Sequence, residues 1–275
     1  MEKSIRKLTL IEIMNTNYLE QLNKAFECHK LGDAKVYIFD EVDSTNTEAK
    51  RYCLSGGAVP ALFIARSQSA GRGRMGRSFF SPSDTGIYLS ILTQTPKENS
   101  GFLKVTSASA VALHKSIFEE LGIIAKIKWV NDLYLEGKKI SGILAESFFV
   151  DDKRYIVVGV GINLCTKDFP EELRDKAGSI ISEGDGQNSA YIMSRLAVRV
   201  AENLFDVLGG LDGEWIIDYY REHSAVLGKR VTFTENGVAQ SGIAEAIDEL
   251  GALLVRLDDG SEYILSSGEI SLKID

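Results

Sequence analysis

The residues with the clearest chemical potential lie in one short stretch, Gln68–Phe80, whose sequence is QSAGRGRMGRSFF. Three glycines and three arginines fall within the seven residues from Gly71 to Arg77. Glycines let backbone N–H groups approach a ligand closely, and arginines pair with phosphates or carboxylates through two parallel hydrogen bonds. The net charge of the chain is −8, so this positive charge runs against the overall composition. The stretch predicts a loop that closes over an anion, with a solvated basic loop as the alternative.

A second polar stretch, Lys128–Gly142, places Asn131 and Asp132 in a predicted turn and Lys139 just past a glycine. A carboxylate beside an amide can bind a divalent ion, or it can satisfy its own backbone as an Asx turn. Lys139 precedes an apolar strand, and an ammonium at the mouth of a sheet core is a reasonable phosphate ligand. A solvated surface lysine is the alternative.

A third polar group, Ser44, Thr45 and Asn46, follows a predicted strand and precedes a predicted helix. Any of the three side chains can cap the helix, with Glu48 in reach for a capping box. A cap needs only one of them. The remaining hydroxyl and amide are then available to a polar ligand.

Several common catalytic motifs are excluded. The chain contains neither GxSxG nor GxxxxGK[ST], which argues against triad hydrolysis and P-loop chemistry. The glycines of the arginine-rich loop match GxGxxG in letters, but a dinucleotide site needs a helix there, and Ser81–Thr85 and another strand follow instead. Gly159 and Gly161 form a partial fingerprint, which we interpret as a strand whose glycines permit close approach of another backbone. Cation-assisted attack on a nucleotide phosphate remains.

Hydrophobic periodicity indicates the elements that position these residues. Strands are predicted over Lys35–Val42, Ala61–Gln68, Gly86–Gln94 and Arg154–Leu164, and a strand, turn, hairpin and strand over Ala125–Val150. Helices are predicted over residues 103–121 and 187–208 and in LDGEWIIDYYREHS. After Leu227 a run of short strands, with turns at Asn236-Gly237, Leu250-Gly251 and Asp259-Gly260, predicts a small β-barrel.

Composition narrows the class of protein. The chain has 275 residues, with three cysteines and three histidines scattered along it, and these spacings predict neither disulfides nor a structural metal site. No apolar run approaches the length of a membrane span, and the N-terminus lacks a secretory apolar segment. The acidic balance argues against nucleic acid as the main partner. We expect a soluble cytoplasmic protein.

Four motifs, in this order and spacing, resemble the biotin–protein ligase family: DSTN (43–46), GRGRMGRSFFSP, KWVNDLYLEGKKISGILAE and VVGVGINL. The resemblance covers about residues 35–275 and implies an α+β fold with a mixed, mostly antiparallel sheet and helices, the class II synthetase-like biotin/lipoate ligase fold. A small C-terminal SH3-like β-barrel completes it. The expected units are a helical arm (1–34), a catalytic biotin- and ATP-binding domain (35–226) and the barrel (227–275).

The resemblance implies a two-step reaction. The carboxylate of biotin attacks the α-phosphate of ATP and gives biotinyl-AMP, and a lysine of a biotin carboxyl carrier domain then attacks this mixed anhydride. The implied cofactors are ATP and Mg²⁺ with biotin as substrate, and the carrier domain is the partner. We expect no DNA, no membrane, and a monomer or weak homodimer. Residues 1–34 are too few for the winged helix of bifunctional members, so we predict no operator binding.

The resemblance also implies roles for particular residues. The biotin-binding residues are Ser44, Thr45, Asn46 and Gln68 at the ureido end, and Gly71, Arg72, Gly73, Arg74 and Lys139 at the carboxylate end. The ATP-binding residues are Arg74, Arg77, Phe79, Asn131, Asp132, Lys139 and Asn163, with Phe79 and Asn163 at the adenine. The catalytic residues are Lys139, Arg72 and Arg74, and the metal ligands stay open. Phe79 stands where a tryptophan is common, and Met75 replaces an arginine of some relatives.

Two other functions remain open at the level of sequence. A lipoate–protein ligase or acyltransferase shares the catalytic fold and also transfers an acyl group to a lysine. A non-catalytic biotin- or nucleotide-binding module is the other alternative. The GRGR loop and the terminal barrel favour biotin ligation.

Overall fold

The computed structural model describes residues 17–29, 31–95, 102–181, 189–211, 213–235, 237–266, 268 and 270–272. Five α-helices lie in this part of the chain: α1 (Tyr18–Cys28), α2 (Thr45–Leu54), α3 (Phe102–Leu121), α4 (Ser189–Gly209) and α5 (Glu214–Glu222). Its strands are β1 (Lys35–Val42), β2 (Ala61–Gln68), β3 (Gly86–Thr95), β4 (Lys126–Lys128), β5 (Asp132–Leu135), β6 (Lys138–Val150), β7 (Lys153–Asn163), β8 (Arg230–Glu235), β9 (Val238–Ile247), β10 (Leu253–Leu257), β11 (Glu262–Leu265) and β12 (Ile270–Leu272).

The first seven strands form one sheet in the order β1-β2-β3-β7-β6-β5-β4. The pair β1 and β2 is parallel, and the other neighbours are antiparallel. The prediction of a mixed, mostly antiparallel sheet is therefore confirmed. Three successive neighbours, β3, β7 and β6, are paired over most of their lengths, so the middle of the sheet is a rigid platform.

Helices cover both faces of this sheet. Successive side chains of a strand point to opposite faces, and β2 shows this directly. Leu62 and Ile64 enter the main core with residues of α3 and α4, whereas Ala61 and Phe63 enter a second cluster with Ala49 of α2. Helix α2 thus lies on the face opposite α3 and α4, and its first turn carries the polar group that follows β1.

The predicted helix cap of α2 is wrong in its details. Ser44 occupies the N-cap position with extended backbone, but its side chain makes no capping hydrogen bond. Thr45 and Asn46 lie inside the helix, and Glu48 accepts from Arg51 rather than closing a capping box. Only the backbone bond from Glu48 N to Ser44 O, 2.9 Å long, closes the first turn. The side chains of Thr45 and Asn46 instead form hydrogen bonds with residues outside the helix.

The predicted N-terminal helical arm is observed only as α1. Asn17 caps this helix by accepting a hydrogen bond from Glu20 N at 3.0 Å. Tyr18, Leu22 and Phe26 are buried against the main core, as their helical spacing predicts. Residues 1–16, which the same prediction covers, lie outside the described residues.

The remaining five strands form a second, antiparallel sheet in the order β11-β10-β9-β8-β12. This confirms the predicted small C-terminal β unit. Gly251 and Gly260 have φ values of 89° and 86°, which explains glycine at these two predicted turns. Asn236 of the first predicted turn lies outside the described residues.

Hydrogen bonds tie the second sheet to a turn and a helix of the preceding part of the chain. Trp129 Nε1 donates to Gly251 O at 2.9 Å, and Arg221 Nε of α5 donates to Ile247 O at 2.7 Å. The tryptophan directly precedes the turn between β4 and β5, so the second sheet is anchored beside the polar stretch that the sequence singled out. Among the described helices, none combines the length and the apolar character needed to cross a membrane.

Candidate active site

A cavity of ≈ 260 Å³ opens between the arginine-rich loop, the first turn of α2 and the centre of the large sheet. All the sequence-predicted site residues except Gly71 line it: Ser44, Thr45, Asn46, Gln68, Arg72, Gly73, Arg74, Arg77, Phe79, Asn131, Asp132, Lys139 and Asn163. These residues come from segments up to about a hundred positions apart. The fold therefore brings the predicted set together at one place.

The cavity is strongly basic although the chain is acidic. Its charged lining residues are Arg72, Arg74, Arg77, Lys128, Lys139 and Lys176 on the basic side and Asp132 on the acidic side. Six cations against one carboxylate leave an excess of five positive charges, in a chain whose net charge is −8. A partly enclosed wall of one sign raises the local concentration of an oppositely charged ligand. The cavity is suited to an anion of high charge.

The arginine-rich loop folds back on itself as a narrow hairpin. Phe79 N donates to Gly71 O at 2.8 Å, and Gly73 N donates to Arg77 O at 2.7 Å. A methyl group at Gly71 would lie 2.3 Å from Phe79 O, so only glycine fits there. This is why Gly71 faces the loop interior rather than the cavity. The tip is a single 3-10 turn, Arg74–Gly76, and no α-helix starts there, which agrees with the rejection of a dinucleotide site.

The two predicted catalytic arginines reach opposite walls of the cavity. Arg72 forms a fork on Glu146, with Nη1 3.1 Å from Oε2 and Nη2 3.1 Å from Oε1. Arg74 Nη1 donates to Asn131 Oδ1 at 3.0 Å, and the amide of Asn131 is itself fixed by donating to Ile143 O at 2.9 Å. The loop is therefore tied to the sheet at two points.

Lys139 and Asp132 form an ion pair at the cavity wall, with Nζ 2.6 Å from Oδ1. The buried oxygen receives no well-aligned hydrogen bond despite this short distance. A shift in register between β5 and β6 next to Lys139 re-aims the side chain, as bulges beside active sites commonly do. The lysine tip lies over Gly142, where a methyl group would come within 3.0 Å of it. A cation and a carboxylate are thus held at one point of the wall.

The polar turn of α2 is mostly satisfied from within the protein. Thr45 N donates to Gln68 Oε1 at 2.8 Å, and Gln68 Nε2 donates to Ser81 Oγ at 2.8 Å. Ser90, which the sequence reasoning missed, donates to Asn46 Oδ1 at 2.6 Å and lies 2.7 Å from Thr45 Oγ1. Neither Gln68 nor Thr45 is a spare ligand; each is held in a fixed orientation at the cavity wall.

Ser44 differs from its neighbours. Its hydroxyl makes no hydrogen bond within the described part of the chain, although the residue is buried and lines the cavity. Its backbone N–H donates to the carboxylate of Asp43 at 2.7 Å. A hydrogen bond from Arg51 holds the pKa of Asp43 below its usual value, so this carboxylate is a stable anchor. Ser44 therefore presents an available hydroxyl in a fixed position.

The glycines of β7 are explained by side chains rather than by another backbone, which corrects the prediction. A methyl group at Gly159 would lie 2.0 Å from Asn46 Oδ1, and one at Gly161 would lie 2.4 Å from the Phe79 ring. Asn46 Nδ2 in turn donates to Leu144 O and to Glu146 Oε2. The flat surface of β7 thus forms the floor on which two predicted ligand-contacting side chains rest.

Asn163 lies at the end of β7 and is buried. Its Nδ2 donates to Gly178 O at 3.2 Å, but Oδ1 has no partner among the described residues. An unpartnered buried acceptor costs free energy unless a ligand supplies a donor. The exocyclic amine of an adenine is such a donor, and Phe79 lies nearby on Gly161. This geometry is compatible with the predicted adenine position.

No group of three or more His, Cys, Asp and Glu side chains that could hold a metal ion occurs within the described ranges. A Mg²⁺ ion usually takes one or two carboxylates together with substrate phosphates and waters. The carboxylate of Asp132, which also pairs with Lys139, meets that requirement as a single protein ligand. The residues present therefore fit a magnesium ion that a nucleotide largely holds.

Sequence reasoning missed three further contributors. Glu146 and Trp129 lie within the motif KWVNDLYLEGKKISGILAE, and the carboxylate in the apolar run ILAESFF indicates a partly buried charge but not its partners. Lys176 lies in a loop that runs beside Lys139 in space, where Lys139 N donates to Lys176 O at 2.8 Å. That contact is between residues far apart in sequence, and no local pattern announces it.

Known proteins resemble this chain along most of its length. The profile of the Biotin/lipoate A/B protein ligase family matches residues 38–163, and that of the Biotin protein ligase C terminal domain matches residues 226–273. The bifunctional ligase/repressor BirA of Bacillus subtilis is 30% identical over 243 residues, which cover 86% of this chain and 74% of BirA. The biotin–[acetyl-CoA-carboxylase] ligase of Paracoccus denitrificans is 31% identical over 240 residues, which cover 81% of this chain and 94% of that protein.

A solved structure is similar as well. The biotin protein ligase from Aquifex aeolicus, in complex with biotin and ATP, superposes with a TM-score of 0.70 at 26% identity. The match covers 88% of this chain and 99% of that one. The first profile covers the large sheet apart from the first three residues of β1, and the second covers the second sheet. The cavity-lining residues Phe169, Leu173, Lys176 and Ala177 lie between the two profiles.

Proposed function

Because this chain belongs to the biotin protein ligase family, we propose that it activates biotin with ATP and transfers the biotinyl group to a lysine of a biotin carboxyl carrier domain. The single observation that carries the proposal is the basic cavity, six cations against one carboxylate in an acidic chain. Joining a carboxylate to a triphosphate requires two anions to approach each other. Clustered cations reduce that repulsion.

In the first step, an oxygen of the biotin carboxylate attacks the α-phosphorus, the α–β phosphoanhydride bond breaks, and pyrophosphate leaves. We assign Lys139 and Arg74 to the charge that develops on the phosphoryl oxygens, since both cations are fixed at the cavity wall. Arg72 holds the biotin carboxylate through its planar fork. Asp132 would hold Mg²⁺, which supplies charge neutralisation at the phosphates when bound.

In the second step, the neutral ε-amine of the acceptor lysine attacks the acyl carbon of biotinyl-AMP, and AMP leaves. Water competes for the same carbon, so the intermediate must be shielded. The hairpin loop from Gly71 to Phe79 spans the cavity and is tied to the sheet by Arg72 and Arg74. We assign it the shielding role. Residues 35–226, which include the large sheet and the helices on it, are the proposed catalytic domain, and residues 227–275 are the proposed barrel.

Transfer itself is the experiment that tests this function. The protein is incubated with ATP, biotin, Mg²⁺ and a biotin carboxyl carrier domain, and biotinylated carrier is detected with streptavidin. We expect a signal that requires ATP and the acceptor lysine. Transfer of lipoate but not biotin would instead establish a lipoate ligase, and binding without pyrophosphate release would establish a non-catalytic module.

We also propose that the chain does not recognise operator DNA, although BirA of Bacillus subtilis is named a ligase/repressor. DNA binding depends on neutralising phosphates with lysines and arginines, and the net charge here is −8. A gel-shift assay with the promoter regions of biotin-related genes is expected to show no retarded band with biotin and ATP present. A sequence-specific shift that competitor DNA does not remove would contradict the proposal.

A further inference from the structure

The carboxylate of Glu146 joins three parts of the site, yet the proposed chemistry gives it no role. Lys50 Nζ, from α2, lies 2.7 Å from Oε1, and Asn46 Nδ2 donates to Oε2 at 2.9 Å. Arg72, from the hairpin loop, forms its fork on the same two oxygens. Burial alone would raise the pKa of Glu146, but the hydrogen bonds from Lys50 and Asn46 outweigh it and hold this pKa below its usual value. The carboxylate is charged and fully engaged.

The charges of Glu146, Lys50 and Arg72 do not cancel. Two cations, Lys50 and Arg72, share one carboxylate, which leaves one positive charge beside the cavity. The side chain of Glu146 is 18% exposed, whereas that of Arg72 is 43% exposed. The arginine is therefore the member that can change partners, and an incoming carboxylate would make the group neutral.

We propose that Glu146 is a positioning residue: in the protein without substrate it holds Arg72, and with it the hairpin loop, against the sheet. Lys50 pairs with the same carboxylate and so weakens the ion pair between Glu146 and Arg72. The guanidinium of Arg72 can then exchange Glu146 for the carboxylate of the substrate. The nature of that substrate rests on the proposed function. The contact by which Glu146 holds the loop does not depend on the proposed function.

Limited proteolysis measures the hold directly, because trypsin cleaves after Arg72, Arg74 and Arg77 once the loop opens. Losing hydrogen bonds to a charged group changes an equilibrium by about tenfold or more, so Glu146→Gln is expected to be cleaved in the loop about ten times faster than the unmodified protein. Lys50→Met is expected to slow cleavage, because Arg72 then keeps the carboxylate to itself.

Glu120→Gln is the matched control. Glu120 also accepts from two arginines, Arg195 and Arg199, but it does so on the helical face away from the cavity. The Glu120→Gln variant is expected to be cleaved in the loop at the same rate as the unmodified protein. In biotin activation, Glu146→Gln removes the carboxylate that competes with the substrate for Arg72, so KM for biotin is expected to fall with little change in kcat.

Each result decides a separate point. Wild-type cleavage rates in Glu146→Gln, or equal effects in both Lys50→Met and Glu146→Gln, would overturn the inference. If Glu146→Gln fails to fold, Arg72→Gln breaks the same contact from the loop side, and unchanged cleavage after Arg74 and Arg77 would overturn it equally. Faster cleavage in a protein that never activates biotin would uphold the inference while refuting the proposed function.

Discussion

At the scale of single residues, the role of the ion pair between Lys139 and Asp132 can be tested by a single substitution. We expect Lys139→Ala to lower kcat/KM for biotin activation by about 10- to 100-fold, since one hydrogen bond to a charged group contributes about 1.5–3 kcal/mol. The measurement is biotin-dependent pyrophosphate release. Lys138→Ala is the matched control, because Lys138 Nζ donates to Arg174 O outside the cavity. Equal losses in the two variants would remove Lys139 from the chemistry.

Ser44 leads to a prediction that separates binding from folding. Its hydroxyl has no partner within the described residues, so Ser44→Ala removes nothing that the folded protein uses. We expect KM for biotin to rise about tenfold with the thermal midpoint unchanged, because one ligand hydrogen bond is lost. Asn46→Ala provides the contrast: it removes one hydrogen-bond partner each from Ser90 and Glu146 and is expected to destabilise the fold by about 1–3 kcal/mol. A fall in stability for Ser44→Ala would contradict this assignment.

The residue scale also shows where sequence reasoning stopped. The types and spacing of Ser44, Thr45 and Asn46 predicted a polar cluster, and the structure places all three at the cavity. Which of them keeps an available hydroxyl depended on Gln68 and Ser90, and those contacts join distant segments. A local pattern does not contain that information. Glu146 escaped for the same reason, since its three partners lie about a hundred residues or about seventy residues upstream.

At the scale of elements, strand β7 provides the platform on which the site rests. Gly159→Ala would place a methyl group 2.0 Å from Asn46 Oδ1, and Asn46 cannot retreat because Ser90 and Glu146 hold it. We expect this substitution to cost about 1–3 kcal/mol of stability and to weaken biotin binding. Chemical denaturation and a biotin titration measure the two effects.

The matched control for this strand is Gly209→Ala, at the end of α4. No atom lies within 4 Å of the position of its added methyl group, so stability is expected to stay the same or to rise slightly. If Gly159→Ala is as stable as Gly209→Ala and binds biotin normally, the close packing of Asn46 on β7 contributes neither to stability nor to biotin binding.

Element boundaries were the part of the fold that sequence predicted best. The strands β1 and β2 were predicted with the bounds that the structure has, because β1 alternates, β2 begins with a short apolar run and turn residues flank both. The order of strands in the sheet was not derivable from periodicity, since it depends on pairings such as Gly86 with Asn163. The resemblance implied a mixed, mostly antiparallel sheet but gave no strand order. The cap of α2 was wrong because tertiary contacts claimed its side chains.

At the scale of the whole molecule, a buried histidine couples stability to pH. His114 Nε2 donates to Ala125 O at 3.0 Å, and its Nδ1 lies 2.9 Å from Tyr219 Oη. Burial, followed by the nearby His223 and Lys126, lowers the pKa of His114 to about 4 from its usual value of 6.5. Because the unfolded chain takes up the proton first, stability falls as the pH drops from about 6.5 to about 4.

The loss across this window is expected to be about 3 kcal/mol, since one unit of pKa corresponds to about 1.4 kcal/mol. Urea unfolding at a series of pH values measures it. His114→Gln retains a donor and an acceptor but does not titrate, and its stability is expected to vary less over the same range. His29→Gln, at an exposed histidine, is the control. Identical pH profiles for His114→Gln and the unmodified protein would contradict this account.

The distribution of charge is the other property of the whole molecule that bears on function. The chain carries a net charge of −8, yet its cavity is lined mainly by cations, so positive charge is concentrated where two substrate anions must meet. The most direct test of that central claim is the exchange of labelled pyrophosphate into ATP, which requires only the first step. We predict exchange that depends on biotin and that Lys139→Ala abolishes or greatly reduces. Absence of biotin-dependent exchange in the unmodified protein, with ATP and Mg²⁺ present, would contradict the account.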